Sequence, residues 1–161
     1  MKHNYHTEYG GLSISPLQHE EIELLRQLRN KHRECFFYSG EISAPEQEKW
    51  YSSYLEKKND YVFSVYSRGK WIGSASLYNF SQDGTEAEFG RIVIEGAKGE
   101  GSTAVSAVCS IGFEQLGLSV ISLEVFSDNI RAVRAYQKAG FIITDERESN
   151  KIKITAMRKN K

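Results

Sequence analysis

Hydrophobic and polar residues alternate with a period of two through much of the chain, as they do in strands that bury one face. Between these segments, apolar positions recur every three or four residues, which is the spacing of one helical face. The turn signals Arg68-Gly69 and Asp83-Gly84 separate the first alternating segments, so hairpins are expected there. The predicted strands are residues 12–16, 61–66, 71–78, 85–94, 120–126, 141–144 and 151–157.

Four helices are predicted from the helical spacing and from signals at their ends. Ser43 and Glu46 form a capping box, and Pro45 lies inside the first turn of the helix that they begin. Gly140 is a helix stop signal. The predicted helices are 20–30, one that begins at Ser43, 104–116 and 129–138. The resulting order, β-α-α-β-β-β-α-β-α-β-β, indicates a mixed α/β sheet with antiparallel hairpins and one β-α-β unit.

Composition predicts one domain over residues 1–161, since 40% of the residues are hydrophobic and 26% are charged. The 21 Lys and Arg residues balance the 21 Asp and Glu residues, so no net charge attracts nucleic acid or a membrane surface. No apolar run approaches the ~20 residues of a membrane span, and the N-terminus lacks a signal core. We therefore expect a cytoplasmic protein, with the first ten and last four residues as loose termini.

Cysteine and histidine are too sparse for a disulfide scaffold or a four-cysteine zinc site, so no metal is expected. The cysteines are Cys35 and Cys109, and all four histidines lie in the first fifth of the chain. Cys109 lies in an apolar predicted helix and is interpreted as a core residue rather than an acyl-carrying nucleophile. Cys35 has only His32 nearby in sequence as a base.

A glycine-rich turn, residues 98–103, joins a predicted strand to a predicted helix. Free N–H groups and the helix dipole favour phosphate at such a turn. The P-loop motif fails because Ser102 stands where its lysine would be. Gly99-x-Gly101-x-x-Ala104 matches the relaxed dinucleotide fingerprint, with Glu124 downstream. The hairpins upstream and the short remaining chain argue against an NAD-binding fragment, which stays as an alternative.

Besides the P-loop and the dinucleotide fold, a third class of phosphate-binding protein has such a turn, and a second motif in this sequence supports it. Residues 129–141 read Asn-x-x-Ala-x-x-x-Tyr-x-x-x-Gly-Phe, and Lys98-x-x-Gly101-x-Thr103 stands at the glycine-rich turn. Together they resemble the signatures of the Gcn5-related N-acetyltransferase (GNAT) family, although Lys98 and Thr103 depart from the family's usual residues. The resemblance implies a mostly antiparallel sheet of six to seven strands, splayed in the middle and flanked by about four helices. It also implies acetyl-CoA as the co-substrate.

The resemblance assigns a role to each matching segment. The turn amides would hold the pyrophosphate, and the strand through Val93 would pair with the pantetheine arm. The Val93 N–H would face the thioester carbonyl as an oxyanion donor, and Tyr136 would protonate the departing thiolate. A core role for Tyr136 and a simple helix cap at Asn129 are the structural alternatives. The implied co-substrate residues are Ile92, Val93, Ile94, Lys98, Gly99, Glu100, Gly101, Ser102, Thr103, Asn129 and Tyr136.

A proton acceptor is also required, because free amines are mostly protonated at neutral pH. Glu88 is the candidate, and a solvated edge glutamate is the alternative interpretation. Strand alternation would put Glu88 on the same side as Ile92 and Ile94, provided that Gly90 makes no bulge. Gly90 itself is interpreted either as a bulge residue or as a packing glycine. We expect direct transfer to the amine in a ternary complex.

The acceptor is expected to bind the two N-terminal helices and their loop. This segment resembles GNAT enzymes that acetylate nucleotide-linked amino sugars, of the pseudaminic-acid pathway type. Arg29, His32, Phe37 and Glu88 are the implied acceptor residues. Ribosomal-protein N-terminal acetyltransferases share the pattern and are the alternative within the family, and a catalytically inert acyl-CoA sensor is another. A polyamine acceptor would require a concentrated acidic funnel, and this charge-balanced sequence indicates none. Members of this family often form dimers, so a homodimer is also a candidate assembly.

Overall fold

One eight-stranded sheet with helices on both faces organises the chain in the computed structural model, which describes residues 2–161. The strand order is β1-β2-β3-β4-β5-β6-β8-β7. The strands are β1 (Thr7–Tyr9), β2 (Leu12–Pro16), β3 (Tyr61–Ser67), β4 (Lys70–Tyr78), β5 (Glu86–Ile94), β6 (Val120–Phe126), β7 (Ile142–Ser149) and β8 (Ile152–Asn160). The helices are α1 (Ile22–Lys31), α2 (Ala44–Glu56), α3 (Glu100–Glu114) and α4 (Ile130–Lys138).

The predicted mixed α/β class and its order of elements are confirmed, with two corrections at the ends of the chain. Residues Thr7–Tyr9 form β1, because Gly10 and Gly11 adopt positive φ and turn the chain back onto β2. This strand raises the count from the expected six or seven to eight. The C-terminus is also paired rather than loose, since β8 runs to Asn160 opposite β6.

The two faces of the sheet bury separate apolar clusters. α3 and α4 cover one face, where Phe89, Leu123 and Ile111 pack together. α1 and α2 cover the other face, and Tyr54 of α2 is 2% exposed there. The predicted capping box begins α2: the Glu46 N–H donates to Ser43 Oγ at 3.3 Å, and Ser43 N–H donates to the Glu46 carboxylate at 2.7 Å.

Only β5 and β6 run parallel; every other neighbouring pair in the described sheet is antiparallel. A doubly wound dinucleotide-binding sheet is parallel and built from repeated β-α-β units. The topology therefore excludes the NAD-binding alternative. Among residues 2–161, no helix is both long enough and apolar enough to cross a bilayer.

Candidate active site

The sheet splits between β5 and β6, as the expected splay requires. These strands pair only at three positions, from Glu86 opposite Val120 to Glu88 opposite Ser122. Beyond Glu88, β5 stays with β4 and β6 stays with β8. A cleft of about 420 Å³ opens there, with residues 91–94 on one wall and residues 124–126 on the other. One edge of β5 is thus left without a neighbouring strand, so its main-chain groups can bind a ligand.

A β-bulge lies in β5 at the point where the strands separate. Ser74 and Ser76 of β4 flank one residue, Ala75, whereas two residues of β5, Arg91 and Ile92, lie opposite it. Arg91 has a φ of 51°, in the left-handed region that non-glycine residues rarely adopt. An extra residue in one strand reverses the side-chain alternation beyond it. A bulge, one of the two interpretations of Gly90, is therefore present, one residue further along.

This reversal corrects the expected orientation of Glu88. Phe89 belongs to the cluster under α3, and Ile92 and Ile94 pack against that same cluster. Glu88 therefore faces the opposite side of the sheet from Ile92 and Ile94. It does not line the cleft, and its carboxylate instead accepts hydrogen bonds from the Tyr78 hydroxyl at 3.1 Å and from Asn79 Nδ2 at 2.9 Å.

The direction of the Val93 amide also differs from the sequence expectation. A Cβ on Gly73 of β4 would overlap the Val93 carbonyl oxygen, so this carbonyl faces β4. Two residues further on, Glu95 N–H donates to the Ile72 carbonyl at 2.7 Å, also towards β4. The N–H and C=O groups of one extended residue share a side, and successive residues alternate. The Val93 N–H therefore faces β4, and the Ile94 N–H faces the cleft.

Tyr136 and Asn129 enter the cleft from α4. Tyr136 is 7% exposed, packs edge-on against Phe89 with ring centroids 6.1 Å apart, and lines the cleft. Burial raises the pKa of its phenol, so the hydroxyl carries its proton at neutral pH. Asn129 caps α4, because its Oδ1 accepts from the Ala132 N–H at 3.2 Å. That cap leaves the Asn129 amide NH₂ available to a ligand.

The glycine-rich turn leads directly into α3, with Gly99 at a φ of 88°. The Glu100 N–H donates to Ala97 O at 3.1 Å, and the Thr103 N–H donates to Gly99 O at 3.2 Å. The Ser102 and Thr103 hydroxyls also donate to Gly99 O. Four N–H groups of the predicted set have no acceptor within residues 2–161, and they belong to Lys98, Gly99, Gly101 and Ser102.

Two features of this turn qualify the set of residues expected to bind pyrophosphate. The carboxylate of Glu100 accepts from Ser67 Oγ at 2.7 Å and from Ala97 N–H at 2.9 Å, and these bonds lower its pKa. A fixed negative charge therefore lies in the first turn of α3. Gly101 lines the cleft, and a Cβ there would meet nothing within 4 Å, so its surface is open to a ligand.

Three of the four predicted acceptor residues line the same cleft. Arg29 of α1 has its guanidinium 4.3 Å above the Phe36 ring, and its Nε is buried with no hydrogen-bond partner within the described chain. Burial, with a smaller effect from Arg91, lowers the pKa of Arg29. His32 lies 3.1 Å from the Glu95 carboxylate, and Phe37 reaches from the following loop.

These observations can be compared with known proteins. The sequence profile described as the acetyltransferase (GNAT) domain matches residues 12–142 of this chain. The chain belongs to the GNAT family. It is an acetyl-CoA-dependent N-acetyltransferase, as the motif at residues 129–141 indicated.

Two curated GNAT relatives align with most of the chain. Acetyltransferase PseH of Campylobacter jejuni is 27% identical over 136 residues, which are 83% of this chain and 85% of that protein. Spermidine N(1)-acetyltransferase of Escherichia coli is 24% identical over 139 residues, which are 84% of this chain and 75% of that protein. Of these two names, one states an acceptor, spermidine, and the other states none.

Two solved structures share the GNAT fold of this chain. Spermidine N-acetyltransferase from Vibrio cholerae, in complex with CoA and spermine, superposes with a TM-score of 0.81 at 21% identity, over 92% of this chain and 94% of that one. FdhC, a nucleotide-linked sugar GNAT, superposes with a TM-score of 0.84 at 17% identity, over 98% of this chain and 91% of that one. At these identities the likeness shows the fold.

The cleft also contains residues that the sequence did not indicate for an acetyltransferase site. Tyr78, Arg91, Glu124 and Phe126 all line it. Glu124 is the one carboxylate among the lining residues, and it pairs with Arg147 at 2.8 Å. Phe126 ends β6, whose pattern indicated only a buried strand. Within residues 2–161, no three His, Cys, Asp or Glu side chains are grouped so as to hold a metal ion.

Proposed function

We propose that this GNAT enzyme acetylates the amine of a nucleotide-linked amino sugar, by direct attack on acetyl-CoA in a ternary complex. The observation that carries the proposal is the Arg29 guanidinium, which is half-buried, lines the cleft and has a buried Nε without a partner within the described chain. A buried cation with an unused donor is costly unless a ligand supplies an anion. A phosphate of the acceptor would supply it, with the planar guanidinium as its donor.

The charges around the cleft favour a phosphorylated acceptor over a polyamine. Arg29, Arg91 and Arg131 line it, and the one lining carboxylate, Glu124, already pairs with Arg147. A polyamine carries several positive charges and would bring them next to these arginines. Two relatives are named as spermidine acetyltransferases, one of them solved in complex with CoA and spermine, and they keep a polyamine as the second candidate.

Aromatic side chains support a sugar or nucleobase in the same space. Phe36, Phe37 and Tyr38 from the loop after α1 line the cleft together with Phe126 of β6. Aromatic faces stack on bases and on sugar rings. The co-substrate would occupy the other end, where the open edge of β5, Asn129, Tyr136 and the free amides of the α3 turn fit its pantetheine arm and pyrophosphate.

The two thiols favour direct attack over an acyl-enzyme. Burial raises the pKa of Cys109 to about 12, and Cys109 is 0% exposed. Cys35 lines the cleft, and burial also raises its pKa. Neither sulfur is held as a thiolate, which is the reactive form. The acetyl group therefore passes from sulfur to nitrogen in one transfer, with the Ile94 N–H in place of Val93 as the donor that faces the thioester oxygen.

The test compares acceptors and one arginine variant. Initial rates of CoA release are measured with UDP-glucosamine, glucosamine, spermidine and a peptide with a free N-terminal alanine. UDP-glucosamine is expected to exceed glucosamine by at least about 100-fold in kcat/KM, since the phosphates would meet Arg29. Arg29→Met is expected to raise KM for UDP-glucosamine by at least about tenfold. Arg33→Met is the matched control, since Arg33 is exposed and lies outside the cleft.

Intersecting double-reciprocal lines are expected for a ternary complex, and parallel lines would contradict direct transfer. Faster turnover of spermidine than of UDP-glucosamine would replace the proposed acceptor with a polyamine. Preference for the peptide would place the chain with the protein N-terminal acetyltransferases.

A further inference from the structure

Glu88, the candidate proton acceptor, is separated from the cleft by one side chain. Tyr78 ends β4 directly opposite Glu88 of β5, and its hydroxyl donates to Glu88 Oε1 at 3.1 Å. Tyr78 lines the cleft, whereas Glu88 does not. Asn79 Nδ2 donates to the second carboxylate oxygen at 2.9 Å. The Glu88 carboxylate is thus connected to the cleft by its hydrogen bond with the Tyr78 hydroxyl.

Two neighbours on β5 fix the position of this phenol. A Cβ on Gly90 would lie 2.6 Å from the Tyr78 hydroxyl oxygen, so only glycine leaves room for the hydroxyl there. The Arg91 guanidinium lies 3.9 Å above the Tyr78 ring, and Asp60 holds that guanidinium at 2.8 Å. Gly90 and Arg91 therefore both pack against the phenol that donates to Glu88.

We propose that Tyr78 is a catalytic residue that passes the proton of the acceptor ammonium to Glu88. The proposal rests on the proposed attack of a primary amine on acetyl-CoA. As the ammonium N–H bond breaks, its proton binds the Tyr78 oxygen, and the Tyr78 proton moves to Glu88 Oε1. The freed nitrogen lone pair attacks the thioester carbon, and the C–S bond breaks. Glu88 then releases its proton to water, and Tyr136 protonates the thiolate and regains a proton lost by the acylated nitrogen.

The groups that face Tyr78 favour a concerted relay over a stable tyrosinate. Burial, followed by the Glu88 charge, raises the pKa of Tyr78, whereas the Arg91 guanidinium acts in the opposite direction. Tyr136 of α4 has a smaller electrostatic effect that also raises this pKa. Tyr78 must therefore gain a proton as it loses its own. The other carboxylate of the cleft, Glu124, lies on β6 and is held by Arg147.

The test uses Tyr78→Phe, Glu88→Gln and the double variant, assayed across pH with both UDP-glucosamine and spermidine. Tyr66→Phe is a matched control, because Tyr66 also donates to a glutamate, Glu21, but lies outside the cleft. Gly90→Ala keeps Tyr78 and displaces its hydroxyl, so it tests the geometry in a second way. Thermal melting of each variant confirms that it is folded.

Near pH 7, Tyr78→Phe and Glu88→Gln are each expected to lower kcat by about 30- to 100-fold. The double variant should be no slower than the singles, since both act in one path. The deficit should shrink near pH 10, where solvent deprotonates the amine. Gly90→Ala should behave like Tyr78→Phe, and Tyr66→Phe should stay within about twofold of the wild type.

Three outcomes would overturn the relay: wild-type rates in Tyr78→Phe, losses that multiply in the double variant, or a deficit that does not change with pH. If only Glu124→Gln changed the pH dependence of kcat, Glu124 would be the proton acceptor instead of Glu88. Because the variants are compared on both probes, failure of UDP-glucosamine as an acceptor refutes the proposed function, and the relay is then judged on spermidine.

Discussion

Phe37, in the loop after α1, packs edge-on against Phe126 at the end of β6, with ring centroids 4.7 Å apart. Phe126 lies on the β6 wall of the cleft, Phe37 comes from the loop after α1, and both line the cleft. Phe37 remains 58% exposed, so this contact joins the loop to β6 with little burial on its outer side. This aromatic pair thus joins the loop to the β6 wall at the end of the cleft that we propose for the acceptor.

Replacement of Phe37 by alanine removes this bridge. We expect KM for the acceptor to rise by about five- to tenfold, because an aromatic contact contributes about 1 kcal/mol. The affinity for acetyl-CoA and the melting temperature should change little. Leu24→Ala is a suitable control, since Leu24 is a similarly exposed apolar residue outside the cleft. An unchanged acceptor KM would remove Phe37 from the binding site.

Tyr136→Phe tests the predicted proton donor. The substitution keeps the ring packed against Phe89 and removes only the hydroxyl, so the fold should persist. We expect kcat to fall at least about tenfold, because the thiolate loses its acid. The affinity for acetyl-CoA, measured by calorimetry, should be nearly unchanged. Full activity in this variant would exclude Tyr136 from the chemistry.

Gly101→Ala separates binding from stability in the α3 turn. The position is helical and open, so alanine should stabilise the chain by up to about 1 kcal/mol. The added methyl projects where the co-substrate would approach, and we expect the Kd for acetyl-CoA to rise at least about tenfold. A weaker complex with an equal or higher melting temperature is the expected pair of results. Unchanged affinity would move the pyrophosphate away from this turn.

The stability of the fold should depend on pH through His3. Its ring packs against Tyr5, Tyr61 and Phe63, and burial lowers its pKa to about 4. In the unfolded chain the His3 imidazole binds a proton near pH 6.5. The stability that the folded chain gains from neutral His3 is therefore complete above pH 6.5 and is lost as the pH falls towards 4.

Between pH 7 and pH 5 the free energy of unfolding should fall by about 1 kcal/mol from this group, a value reduced for its partial contact with water. Urea titrations at both pH values measure the loss. The loss should be smaller in His3→Phe and unchanged in His6→Asn, since His6 is exposed. Equal losses in all three chains would contradict this role of His3.

The sequence predicted the secondary-structure elements and the location of the cleft better than the directions in which side chains and main-chain amides point within it. The period of the apolar positions located the strands and helices, and the motif from Asn129 to Phe141 located the α4 end of the site. Gly90 indicated a bulge only as one of two interpretations, because one extra residue leaves the letters looking like a continuous strand. The side of the sheet that Glu88 faces was therefore left conditional, and the direction of the Val93 amide was missed.

At the proposed acceptor end of the cleft, the sequence also left open which groups are free to bind a ligand, because this depends on contacts between elements. Arg29 was selected from its sequence context, but its unpartnered Nε depends on how α1 packs near Arg91. The hydrogen bond between Tyr78 and Glu88 joins two strands, and no spacing within one strand reveals it. Contacts across the sheet thus determine which candidate residues reach the cleft.

The open edge of β5 also has a consequence for how this enzyme tolerates mutation. The groups of β5 that would bind acetyl-CoA belong to the main chain. We therefore expect many substitutions at Ile92 and Ile94 to preserve the use of acetyl-CoA. Gly73 and Gly90 should accept almost none, because their missing Cβ atoms leave room for Val93 and Tyr78. With the acceptor bound by α1 and its loop, as proposed, substitutions in that segment should change acceptor preference while the use of acetyl-CoA stays constant.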